Sequence, residues 1–216
     1  MKIVYANTID FEGGLQQRPH HLFSLLAERG HQVYWVNKTK DNDRFRTRVT
    51  DGLNVYHNWE AFCRKFEGQI DVYFSSWSHR HKDIDLIKPK MIIYDSLDLF
   101  PHNQSEEKNM VDKANVILTT TNNLYNFHKE HTDKPIYMCE NGCFSEYRNT
   151  TYDIPKDLKD LPKPWILFSG AVAINPKHGW VDADLIQKIS QKYTTIVVGR
   201  MWELSPSDGE IRKKNL

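Results

Sequence analysis

Four short stretches of the chain gather residue types that bind anions or move protons. The first is Gly13-Gly14-Leu15-Gln16-Gln17-Arg18-Pro19-His20-His21. Paired glycines let backbone N–H groups approach a ligand closely, and a helix starting near Pro19 turns its positive end towards an anion. Arg18 could add a forked donor set for phosphate or carboxylate, with Gln17 and His20 beside it. A flexible turn and a solvated first helical turn account for the same residues. The second stretch holds His79 and His81. Either could act as a general base or as a donor that positions a hydroxyl, because imidazole titrates near neutral pH; exposed loop histidines are the plainer alternative. The third holds Asp95 and Asp98, after the apolar run Met91-Ile92-Ile93-Tyr94. Carboxylates there suit sugar hydroxyls or a positioned base, whereas turn chemistry would have Asp95 or Ser96 capping the next segment of chain. The fourth, Glu140-Asn141-Gly142, is most simply a turn, with Asn141 the residue of it that could reach a substrate.

Further along, Gly170 ends another apolar run and Lys177 lies in the loop after it. Together they could meet a diphosphate, with Lys177 acting as a point charge, although a surface lysine is the commoner case. No G-x-G-x-x-G follows the first strand, which argues against a dinucleotide cofactor and hence against a nucleotide-sugar epimerase or dehydrogenase. The cysteines, Cys63, Cys139 and Cys143, are sparse and odd in number, as expected for reduced thiols of a cytosolic protein. Cys139 and Cys143 lack a second Cys/His pair of matching spacing, so no metal is expected.

These stretches need elements that hold them, and the pattern supplies βα units. Short β-branched runs alternate with helical periods, the signature of a mostly parallel sheet with helices on both faces. Strands are expected at Lys2 to Ala6, Gln32 to Val36, Asn54 to Tyr56, Asp71 to Phe74, Met91 to Tyr94, Asn115 to Thr119 and Pro135 to Met138. Leu22, Leu25 and Leu26 repeat at helical spacing, and Gly30 stands where a left-handed stop belongs. Trp59, Phe62, Cys63 and Phe66 make a short amphipathic helix. Helices are also expected over about Ser105 to Lys113 and Leu124 to Lys129. Asn37 to Asp51 reads as one long polar loop. The expected division is a Rossmann-like domain over 1–150, a proline-bearing linker over 151–164, and an incomplete second Rossmann-like unit over 165–216. That unit has strands at Trp165 to Gly170 and Thr195 to Gly199 around a helix carrying Val181, Leu185, Ile186 and Ile189, and ends in polar residues. Ligands of such sheets bind beyond the carboxyl ends of the strands, where all four stretches fall.

Composition narrows the function classes. With 29 basic and 28 acidic residues the formal charge is +1, so no whole-surface field favours nucleic acid or acidic lipid. Hydrophobic residues make up 39%, and no stretch approaches the roughly 18 uninterrupted apolar residues of a spanning helix. The opening Met1-Lys2-Ile3-Val4-Tyr5-Ala6-Asn7 lacks the apolar core of a signal peptide and reads as a first strand, which points to the cytoplasm.

Taken in order, the motifs resemble the family 4 glycosyltransferases of the GT-B fold. Gln17-Arg18-Pro19-His20-His21-Leu22 and then Leu26-Ala27-Glu28-Arg29-Gly30-His31-Gln32-Val33 resemble that family's opening loop, helix and "RGH-x-V" strand. Tyr94-Asp95-Ser96-Leu97-Asp98 resembles a "YD-x-x-D" segment found in a subset of it. Ala114 to Thr121 resembles an "AD-x-V-x-x-x-S" strand, with Asn115 in place of the usual Asp. Glu140-Asn141-Gly142-Cys143 resembles the "NG-V" turn closing the first domain, and Trp165 to Ala171 the first strand of the second.

The resemblance implies sugar transfer from a nucleotide-linked donor, UDP- or GDP-sugar, to a glycan or lipid-linked acceptor. It implies retention and independence of metal, in a hexosyltransferase working in the cytoplasm with room for peripheral contact at the inner face of the membrane. By resemblance, Gly13 and Gly14 face the donor phosphate, Lys177 is the diphosphate cation, and His79 or His81 touches the transferred sugar. The loop after Gly170 lacks the family's arginine. Its paired-glutamate donor segment has no counterpart within the 216 residues, so the chain alone is expected to be inactive. The competing reading is a non-catalytic carbohydrate-binding module or decayed fragment derived from the same N-domain.

Overall fold

The computed structural model describes residues 1–6, 8–12, 16–99, 103–145, 151–170, 172–173, 181–199, 201–204 and 211–214. The chain forms two compact units, Met1–Phe144 and Ser145–Leu216. The first unit is a mixed α/β, Rossmann-like fold. Its strands are β1 (Lys2–Tyr5), β2 (Gln32–Val36), β3 (Arg46–Arg48), β4 (Leu53–Tyr56), β5 (Val72–Ser75), β6 (Met91–Ser96), β7 (Val116–Thr119) and β8 (Ile136–Met138). Its helices are α1 (Arg18–Glu28), α2 (Trp59–Phe66), α3 (Asp83–Ile87), α4 (Gln104–Lys113) and α5 (Asn122–His131), with a 3-10 turn at Ser78–Lys82 ahead of α3. The strands join in the order β3-β4-β2-β1-β5-β6-β7-β8. Every pairing is parallel except β3 with β4.

Alternation along each strand divides the core into two layers. Ile3, Tyr5, Val33, Trp35, Val72 and Phe74 pack with Phe23 of α1 on one face. Val4, Tyr34, Val36, Tyr56 and Tyr73 pack on the other with Trp59 and Phe62 of α2, Ile84 and Ile87 of α3, and Met110 and Val111 of α4. Burial on both faces is why these strands read as near-continuous apolar runs, and each such side chain contributes about 1.5–3 kcal/mol by leaving water. Gly30 ends α1 at φ +85°, a conformation that favours glycine.

Several expected boundaries shift. The polar loop over Asn37 to Asp51 contains β3, a strand without an apolar run that forms by antiparallel pairing to β4, Arg46 opposite Tyr56. Its arginines sit at the sheet edge, where charge discourages pairing with another chain. The strand expected to stop at Tyr94 continues through Asp95 and Ser96, because both pair with Leu118 and Thr119 of β7. Asp95 is therefore a buried strand-end residue rather than a turn cap. The histidine stretch is not a loop but the 3-10 turn leading into α3.

The second unit holds β9 (Trp165–Ser169) parallel to β11 (Thr194–Val198), with α6 (Ala183–Ser190) between them in sequence. Beyond residue 200, where the sequence shows only a polar end, β12 (Met201–Leu204) pairs antiparallel with β13 (Ile211–Lys214) and parallel with the short β10 (Val172–Ala173). Among the described residues, no helix is long and apolar enough to cross a membrane.

Candidate functional site

The sheet order fixes where a ligand crevice opens. From β1 the chain builds outward through β2, β4 and β3, then returns to β5 on the other side of β1 and builds the opposite way. Connections leaving the carboxyl ends of β1 and β5 therefore diverge, the arrangement that opens a binding crevice in doubly wound sheets. Tyr5 and Ser76 stand at those ends, joined Oη to Oγ at 2.8 Å.

Beside that crevice Arg18, the first residue of α1, gathers three of the chemistry-bearing stretches. Its Nε and Nη2 donate to Asp95 Oδ2 and Oδ1 at 3.0 and 3.1 Å. Its Nη1 donates to the Glu140 carbonyl at 3.1 Å and, at 3.4 Å, to Asn141 Oδ1. The Asp95 side chain is 1% exposed and that of Arg18 14%, so the pair is screened from water and held by planar, two-point geometry. Burial pushes the Asp95 carboxyl above its ordinary range, against the pull of Arg18. As placed, the arginine fork expected to meet an anionic ligand is occupied by the protein's own Asp95 and the Glu140-Asn141 turn. The cluster organises the rim. Asp98 lies exposed three residues on, away from this ion pair in sequence and without a described hydrogen bond.

Three histidines take different places. His20 is buried, its Nδ1 accepting the Gln17 N–H at 3.0 Å and its Nε2 3.3 Å from the Asp10 carbonyl. Its ring packs at 4.6 Å on Trp35, so Gln17 and His20 start α1 rather than face the crevice. His81 is also buried; its Nε2 is 2.5 Å from Glu106 Oε2 of α4, and its Nδ1 has no partner. That contact, ahead of the desolvation opposing it, holds the Glu106 carboxyl below its ordinary range. His79 alone of the pair is exposed, its Nδ1 4.0 Å from Glu106 Oε1.

No family model and no curated protein matches this chain.

His79 opens onto a pocket of about 340 Å³ lined by Thr8, Lys38, Trp77, His79 and Arg80. These residues follow β1, β2 and β5, so the pocket sits at the reversal of strand order. Trp77 and His79 stack at 6.0 Å with an interplanar angle of 28°. Lys38 and Arg80 were not singled out in the sequence. The only signal for them was position: each follows a strand whose neighbour in the sheet is β1.

Behind the rim, a second polar group ties β6 to α4 and α5. Tyr94 donates to Glu107 Oε2 at 2.7 Å, and Ser96 Oγ meets His128 Nε2 at 2.9 Å. Glu107 Oε1 lies 3.7 Å from the same nitrogen without a hydrogen bond. Burial pushes the Glu107 carboxyl up and His128 down to about 4, so His128 is neutral at pH 7.

The remaining expected site residues lie elsewhere. Gly170 follows β9 in the second unit and donates its N–H to the Val198 carbonyl at 2.9 Å. Gly13, Gly14 and Lys177 fall outside the described residues. Cys63, Cys139 and Cys143 are free thiols. No group of three His, Cys, Asp or Glu among the described residues is placed to hold a metal ion.

Proposed function

We propose that the chain is the acceptor-side part of a GT-B glycosyltransferase, moving a hexose from a nucleotide sugar to a glycan or lipid-linked hydroxyl. One observation carries this reading. The Gln17–His21, Tyr94–Asp98 and Glu140–Cys143 motifs, up to 123 residues apart, converge through Arg18 on one rim beside the switch point. Nothing in local sequence forces that meeting, and it is what a shared ligand site requires. In the transfer, the acceptor oxygen bonds to the sugar anomeric carbon while the bond from that carbon to the diphosphate oxygen breaks. The nucleoside diphosphate leaves with the bonding pair, and the acceptor proton passes to it. His79, exposed at the pocket, is the side chain suited to donate to a hydroxyl of the transferred sugar. Retention and independence of metal belong to the same proposal, as do the UDP- or GDP-linked donor and work at the cytoplasmic face of a membrane.

Calorimetry with UDP-, GDP- and ADP-sugars and with glycan acceptors tests it. One donor should bind, and His79→Ala should weaken that binding about fivefold, as loss of a hydrogen bond of about 1 kcal/mol does. Failure of the whole donor panel to bind would sink the reading. A non-catalytic sugar-binding module is favoured by one observation, that the rim carboxylate Asp95 is closed off by Arg18. Glycan binding without binding of any nucleotide sugar would select it.

A further inference from the structure

We infer that the pocket at the switch point selects an acidic sugar, one carrying a carboxylate or a phosphate. The inference deepens the glycosyltransferase reading of the same site by naming its substrate class.

The pocket combines an aromatic face with two cations, Lys38 without a described ion pair and Arg80 held to Asp83 by a single contact. Trp77 is 42% exposed, and its near-parallel stack with His79 holds the indole as a platform at the pocket wall. The C–H face of a pyranose packs on such a surface, its weakly positive hydrogens against the electron-rich ring. Lys38 and Arg80 stand around that platform, and no carboxylate lines the pocket among the described residues.

Of the nearby acids, Asp10 and Glu106 are engaged chiefly elsewhere, and Asp83 pairs loosely with Arg80. Asp10 gives both oxygens to Thr39, accepting from its backbone N at 2.7 Å and its hydroxyl at 2.5 Å. Lys38, the preceding residue, is thus left without a described ion pair while its neighbour Lys40 pairs with Glu60. Glu106 is engaged with His81 at 2.5 Å and stands 4.0 Å from His79. Asp83 reaches Arg80 through one long contact, 3.4 Å from Nη1. A neutral sugar would use the platform and leave the cations idle. An acidic sugar uses both.

Fluorine NMR on protein labelled with 5-fluorotryptophan provides the test, with Trp77→Phe assigning the Trp77 resonance. Methyl glucuronide, glucose 6-phosphate, methyl glucoside and inorganic phosphate are titrated in turn. The acidic sugars should shift that resonance saturably, at least one of them with about tenfold lower Kd than methyl glucoside. Whichever binds tighter identifies carboxylate or phosphate as the group recognised. Lys38→Gln should weaken the acidic sugar severalfold while leaving the unfolding midpoint unchanged. Equal affinity for glucoside and acidic sugars, no shift with any sugar, or a shift by inorganic phosphate as strong as by glucose 6-phosphate overturns the inference. Donor calorimetry on the same samples separates the two claims. Acidic-sugar binding without nucleotide-sugar binding removes the transferase reading alone, and donor binding with no preference for acidic sugars removes this inference alone.

Discussion

Arg18 and Asp95 show what a single pair of side chains does for the rim. Separated by 77 residues, they bring the start of α1 onto the end of β6. Removing one partner leaves the other charge buried and uncompensated, which costs about 3–5 kcal/mol in comparable pairs. Asp95→Asn should therefore lower stability by about that amount and loosen the Glu140-Asn141 turn that the same guanidinium holds. Denaturant unfolding measures the first effect, and amide exchange at Asn141 reads the second. A variant as stable as the parent would show that the pair is not a keystone of the rim. Both residues were legible as candidates, but their meeting was not. A sequence displays an arginine with a forked donor set; it does not display that the carboxylate filling the fork arrives from another strand. His20 illustrates the same limit. Its place in the first helical turn could be read, whereas the direction of its ring, onto Trp35 and away from the crevice, depends on a neighbour in β2.

Elements were read best where one chemical reason sufficed. Strands β1, β2 and β5 are buried on both faces, so their apolar runs announced them. β3 was missed because it forms through its neighbour, and the extension of β6 over Asp95 and Ser96 was missed because polar strand ends resemble turns. That extension places Ser96 Oγ against His128 of α5, and this contact gives the elements a pH signature. Burial, assisted by His131, depresses His128 from 6.5 to about 4 in the folded protein. The unfolded chain takes up a proton near 6.5 that the folded chain refuses. Stability from this group is thus full above pH 6.5 and declines as pH falls towards 4, by on the order of 3 kcal/mol. Glu107, raised by burial, acts in the opposite sense: its contribution is present below its unfolded value and lost as pH rises through the raised one. Comparing parent with His128→Gln cancels that term, since the amide can keep the bond to Ser96 without titrating. Urea midpoints at pH 7.5 and 4.5 should fall less in the variant. Equal losses in both proteins would show that the acid sensitivity originates elsewhere.

On the scale of the whole molecule, the two units differ in how completely they bury what they build. The first unit, Met1–Phe144, has an eight-stranded sheet with apolar layers on both faces. In the second, β9 and β11 form a two-stranded parallel pair, and Leu167 and Val198 on it remain 65% and 54% exposed. Parallel strands are ordinarily covered on both faces, so this pair does not complete a core of the usual kind. The α/β pattern of both units could be read from the sequence, but the sheet order of the first, which creates the switch point, could not. Strand order is decided by which edges remain free as the helices pack, and no local motif records it. The contrast between the units predicts their independence in unfolding. Residues 1–144 expressed alone should unfold cooperatively, with a midpoint within about 4 °C of the main transition of the full chain, a shift equivalent to about 1 kcal/mol. Residues 145–216 alone should show no cooperative transition, because their exposed apolar strands bury too little to offset the entropy of ordering them. Calorimetry of the two pieces and the full chain decides the matter. Loss of the cooperative transition from residues 1–144 would mean that the second unit supplies essential cover to the first, whereas a sharp transition in residues 145–216 would mean that its short strands form a sufficient core by themselves.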